Sequence, residues 1–147
     1  MGLDQYLTAE VYVGEKDDFK EVEKFPTSKI SSIIYDVGYW RKVNCIHKWF
    51  VDNVQGGVDN CGRYLVDDEK LVELKELCEK LLANKNKEEA VKLLPPQDGF
   101  LFDDTNTNDD NFWKWYWADL EETVRQLDKA LEFGKKYCAT LYYHASW

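Results

Sequence analysis

Residues 38–54 read GYWRKVNCIHKWFVDNV. They gather two tryptophans, an arginine, two lysines and one of the chain's two histidines around Asn44. On a helical pattern over 39–54, Tyr39, Val43, Ile46, Phe50 and Val54 share one narrow apolar face, which is expected to be core. The neighbouring sector carries Trp40, Asn44, His47 and Val51, and then Arg41 and Lys48. Trp49 and Lys42 fall on the other side. Arg41, Asn44 and Lys48 follow i, i+3, i+7 spacing, so their side chains would reach one side. Arginine and lysine there supply charge and donors for a phosphate or carboxylate. Asn44 and His47 offer hydrogen bonds to a base edge or ribose. Trp40 can stack on a planar ring, with Phe102 or Trp115 as a second wall, worth roughly 1–3 kcal/mol per base. The plainer reading has Arg41 and Lys48 lying over apolar neighbours, with Asn44 and His47 satisfying buried backbone groups.

Other chemistry is poorly represented. From Asp104, DDTNTNDD opens like an EF-hand loop. Asp109 then stands where a glycine is needed, and Trp115 where a glutamate is needed. Cys45 and His47 lie two residues apart on different helix faces, so they form no local dyad. No GxSxG, P-loop, GxGxxG or HExxH motif occurs. With 28 acidic residues, paired carboxylates carry no information. Four scattered cysteines without a CxxC pair, and only two histidines, argue against structural zinc. Reduced thiols are expected, three of them buried. The pattern therefore favours binding over catalysis, with no cofactor and no metal.

The net charge of −9 sets further bounds. Direct binding to nucleic acid or to an anionic membrane needs an excess of Lys and Arg, which this chain lacks. A small anion can still bind in a locally basic pocket. The start, MGLDQYLTAEVYV, has neither a basic leader nor a long apolar run, so a cytosolic location is expected. Aromatic residues make up 15% of the chain, more than a core alone explains, and suit walls that stack ligands.

The elements that must position these residues read as one α+β domain over 1–147, with about three main helices on a small antiparallel sheet. Strands are expected at 6–13, at 61–66 and at 137–143. The segment 30–37 reads as a strand or a short helix, and 99–102 as a brief strand. Helices are expected at 39–54, 67–83 and 111–133, with a shorter one from Asn86 to Leu94. The stripe Trp113, Trp117, Leu120, Val124, Leu127, Leu131 marks the buried face of the last helix, and Gly134 its C-cap. Of FWKWYW, Phe112, Trp115 and Tyr116 point away from that stripe, so at least one should line a cavity. Trp147 should be docked rather than frayed.

MGLDQYL, GYWRKVNCIHKWFV, NVQGGVDNCGRYLV, LLPPQDGFLF, WADLEETV and YYHASW occur in that order. In this the chain resembles a family of small, mostly uncharacterised proteins encoded by bacteriophages and prophages. The family's YWRKxNxIHxWF motif falls on Tyr39, Trp40, Arg41, Lys42, Asn44, Ile46, His47, Trp49 and Phe50. The family's usual GFFFGS is GFLFDD here, so no role is carried to Asp103. The resemblance implies a phage protein acting in the host cytosol. By context it implies a counter-defence role in which the protein sequesters a nucleotide-like immune signal, as a monomer or homo-oligomer. Trp40, Arg41, Asn44, His47, Lys48, Phe102 and Trp115 are the ligand-binding residues expected. The alternatives are an acidic inhibitor of a host protein, including a DNA mimic, and a small hydrolase degrading the same signal.

Overall fold

A computed structural model describes residues 2–13, 29–96 and 106–147. Their order is β1 (Asp4–Tyr12), β2 (Ser32–Arg41), α1 (Asn44–Asn53), β3 (Tyr64–Val66), α2 (Asp68–Asn84), α3 (Lys87–Leu93), α4 (Asp110–Tyr137) and β4 (Thr140–Ser146). The strands form one antiparallel sheet in the order β2-β1-β4-β3. The α+β expectation holds, with a fourth, short helix at α3. The strand expected at 99–102 and the first three residues of the DDTNTNDD segment, 103–105, lie outside the described residues. No helix among the described residues is long and apolar enough to cross a membrane.

Alternation builds the sheet. Leu3, Gln5, Leu7, Ala9 and Val11 point inward from β1 and its approach, and Leu141, Tyr143 and Ala145 do so from β4. Helices α2 and α4 pack against each other, and α4 against β1 and β2. The inward stripe of α4 runs through Trp113, Tyr116, Trp117, Leu120, Thr123, Leu127 and Ala130. Val124 and Leu131 are only half-buried, so the true stripe is wider and slightly rotated from the expected one.

Three expectations need correction. The segment 39–43 is not helical: β2 continues through Arg41, and α1 begins only at Asn44. Pairing with β1 decides this, since Trp40 and Arg41 stand opposite Gln5 and Asp4. Tyr39 is consequently an exposed strand residue, not core. Gly134 does not end the last helix. α4 runs on to Tyr137, and Cys138 turns left-handed at φ 50°, donating its N–H to the Gly134 carbonyl. Gly134 instead lies buried within α4 beside Leu141, where a Cβ would make ordinary contact at 3.5 Å from Leu141 Cδ1. Of the cysteines, two rather than three are buried, Cys45 and Cys78.

One side chain fixes how α4 crosses the sheet. Gln126 accepts from the Tyr39 N–H and donates to the Tyr39 carbonyl at 2.8 Å, as a neighbouring strand would. It thereby closes part of the outer edge of β2. Gly38 makes the approach possible, since a Cβ there would lie 3.3 Å from Gln126 Oε1 and 3.2 Å from Leu7 Cβ. Replacing Gln126 with Met keeps the bulk and leaves a backbone donor and acceptor unpaired. The Gln126→Met variant should lose about 1–3 kcal/mol in urea unfolding. An unchanged unfolding midpoint would show that the edge is held by other contacts.

Candidate functional site

The residues at the opening of α1 are set by a buried chain of hydrogen bonds. Gln5 Nε2 donates to the Val43 carbonyl at 2.9 Å, which turns Gln5 Oε1 toward Tyr143. The Tyr143 hydroxyl donates to that oxygen at 2.9 Å. With its proton committed, the hydroxyl can only accept from His47 Nδ1, 2.8 Å away. His47 Nε2 then faces Asp59 Oδ1 at 2.9 Å, and that contact also needs a proton. Burial lowers the His47 pKa, and the Asp59 carboxylate opposes the shift. Trp147 Nε1 also donates to Asp59 Oδ1, at 3.2 Å, which docks the end of β4.

Above this network the chain turns sharply from β2 into α1. Lys42 adopts φ 60°, a left-handed conformation that costs a non-glycine residue roughly 1–2 kcal/mol. Helix α1 then opens without a side-chain cap, because Val43 occupies the N-cap, and its first turn holds no acidic residue. The Cys45 thiol, a weak acceptor, lies against the amides of Cys45 and Ile46. The Asn44 N–H donates to the Lys42 carbonyl at 3.0 Å, so what this end of α1 offers the cleft is its helix dipole rather than free amides.

Facing it are the first turns of α4. Lys42, Val43, Asn44 and Cys45 on one side, and Asp109, Asn111, Phe112, Trp115, Tyr116 and Asp119 on the other, line a cleft of about 270 Å³. Phe112, Trp115, Tyr116 and Asp119 follow i, i+3, i+4, i+7, so one ridge of α4 presents three rings and then a carboxyl. Tyr116 is anchored by its hydroxyl, which donates to the Leu94 carbonyl at 2.8 Å. Trp115 is 67% exposed although it lies beside this apolar wall. Asp109 is committed as the cap of α4, accepting from the Asn111 N–H at 2.9 Å.

Asp119 is different. Burial pushes its pKa up to about 6, and no cation or donor among the described residues opposes the shift. An unneutralised carboxyl part-way into an aromatic cleft is a feature more typical of sites than of scaffold. Burial also pushes the Cys45 thiol well above its ordinary range, so it is not an activated nucleophile.

The expected site residues separate. Asn44 and Trp115 line the cleft together. Trp40 is buried beneath α4, its indole donating to Thr123 Oγ1 at 3.0 Å. His47 is fully buried in the network above. Lys48 pairs with Asp52 at 2.7 Å, one helical turn away, and does not line the cleft. Arg41 points to the opposite face of the sheet, its Nε 3.9 Å from Asp4 Oδ1. Phe102 lies outside the described residues. The single sector of Arg41, Asn44, His47 and Lys48 disappears because Arg41 is on a strand. Lys42 and Asp119 are cleft residues that the sequence reading does not single out, and Phe112 is one of the three rings of which at least one is expected to line a cavity. The aromatic ridge ending in Asp119 is the signal that could have found them. No protein-family model, curated protein or solved structure matches the chain.

The Asp119 carboxyl titrates near 3.8 when exposed and near 6 in the folded chain. Between those values the folded state binds more protons than the unfolded one, so this group makes stability fall as pH rises from about 4 to about 6. The Asp119→Asn variant should lack that component. After discounting for partial exposure, it should gain on the order of 1 kcal/mol at pH 7. Unfolding of both proteins across this pH range tests it, and parallel curves would mean that Asp119 is solvated.

Proposed function

We propose that this protein is a binding protein that takes up a nucleotide-like ligand in the α1–α4 cleft and holds it unchanged. The observation that carries this reading is the exposed Trp115 ring beside the uncapped N-terminus of α1, across a cleft that admits one small molecule. Phe112 and Trp115 offer ring faces to a base. Lys42 lines the cleft and supplies the cation for a phosphate there. The Asn44 side chain, with both donor and acceptor, suits a ribose or base edge. A volume of about 270 Å³ suits a mononucleotide or one half of a larger signal better than a dinucleotide.

Sequestration is favoured over hydrolysis by the groups around the cleft. Its thiol is held protonated, and no histidine lines it. The resemblance to phage-encoded proteins supplies the context in which holding a host immune signal is useful. Trapping requires slow release, which contact with the aromatic wall of α4 favours.

The test is calorimetric titration with mononucleotides, combined with mass spectrometry of small molecules released on denaturation after incubation with cell extract. The wild type should release an intact nucleotide. The Trp115→Ala variant should bind more weakly by roughly 1–3 kcal/mol. Its stability should change by no more than about 0.5 kcal/mol, because the ring is largely outside the core. Recovery of a cleaved product would support hydrolysis instead. Equal affinity in the variant would remove Trp115 from the site.

A further inference from the structure

Asp119 makes no side-chain hydrogen bond or ion pair among the described residues, yet it stands in the cleft beside the aromatic ridge. Asp109, the other carboxylate there, is occupied by the Asn111 amide. Lys42 lines the same cleft, but Asp119 is upshifted by burial alone, so the lysine does not neutralise it. The described residues give Asp119 no partner, and its burial favours a ligand that supplies one.

An ionised carboxylate only accepts hydrogen bonds. Its two oxygens therefore select a ligand edge with two adjacent donors. Among the nucleobases, guanine has that edge: N1–H beside the 2-amino group. Adenine places its amino group next to an acceptor nitrogen, and so does cytosine. Uracil has one N–H between two carbonyls. Building on the cleft assignment, we infer that the ligand carries a guanine base, with Asp119 accepting from N1–H and the 2-amino group while Trp115 and Phe112, on the same ridge of α4, line the wall beside the base.

Two physical consequences follow. A bidentate pair at a half-buried carboxylate discriminates, since a base without the donors leaves it partly desolvated and unpaired. Recognition also needs the carboxylate ionised, so guanine affinity should fall as pH drops through about 6. The other titratable groups lining the cleft are Lys42, Cys45, Asp109 and Tyr116. Burial raises Cys45 and Tyr116, so both stay protonated throughout that range.

The experiment measures equilibrium binding of GMP, IMP, AMP and XMP to the wild type and to the Asp119→Asn variant. The wild type should prefer GMP over AMP by about tenfold or more, with IMP, which lacks the 2-amino group, in between. In the variant an amide N–H replaces one acceptor. It should lose the GMP preference and gain affinity for XMP, whose 2-carbonyl accepts from that N–H. This gain cannot come from misfolding. Equal binding of GMP and AMP by the wild type, or an unchanged preference in the variant, overturns guanine recognition while leaving the cleft as a nucleotide site. If the wild type binds none of the four, the inference and the cleft assignment both fail.

Discussion

The carbonyl of Val43 is the point on which the rest of the structure turns. It accepts the His47 N–H at 3.2 Å, the first hydrogen bond of α1, and the Gln5 side-chain amide at 2.9 Å. The same Gln5 is tied through Tyr143 to His47 and so to Asp59. The central strand, the last strand, the first helix and the loop beyond it thus converge on one buried polar chain. Such a chain is costly when one member is missing and specifying when all are present. It dictates that α1 starts at Asn44 and nowhere earlier. The Phe50 ring stacks on Tyr143 at 3.9 Å and holds the next turn in place.

Starting the helix there has a consequence at the surface. The chain must leave β2 and enter α1 within two residues, which forces Lys42 into a left-handed conformation and leaves Val43 as an ineffective cap. Across the cleft, Asp119 carries an uncompensated carboxyl. Strain, an uncapped helix end and a desolvated charge each reduce stability, and all three border one cleft. The apolar core built by Leu7, Ile46, Phe50, Leu74, Leu120 and Leu127 carries the fold without help from any of them. Clustered departures from local rules, in a chain that otherwise obeys them, are expected where a protein binds something.

Much of this was legible in the sequence. The α3 start at Asn86 and Glu89 is a true cap, with the Asn86 side chain accepting from the Glu89 N–H. The amphipathic periods of α2 and α4 predicted those helices to within a few residues. Phe112 and Trp115 were set apart from the core stripe and line the cleft, whereas Tyr116, set apart with them, is buried in the stripe of α4 and meets the cleft from there. The failure lay at 39–43. Tyr39, Val43 and Ile46 fit a helical period, yet Tyr39 and Trp40 also alternate as a strand does. A period over so few residues does not separate the two patterns. Pairing with β1, a long-range contact, made the choice. Arg41 and Asn44 then lost their common face, and His47 became an internal partner of Tyr143. Asp119 was hidden for a different reason: one carboxylate among 28 acquires meaning only when the rings around it are known.

Amide-resolved nuclear magnetic resonance during titration with GMP tests the central claim most directly, because it reports where a ligand sits regardless of what it does. The backbone amides of residues 42–46 and 109–119 and the Trp115 indole N–H should shift together and saturate at one stoichiometry. Tyr6, Tyr39, Tyr142 and His144, on the far face of the sheet, should stay unperturbed. Saturable shifts confined to that far face would place the site on the sheet and contradict the cleft as the centre of function.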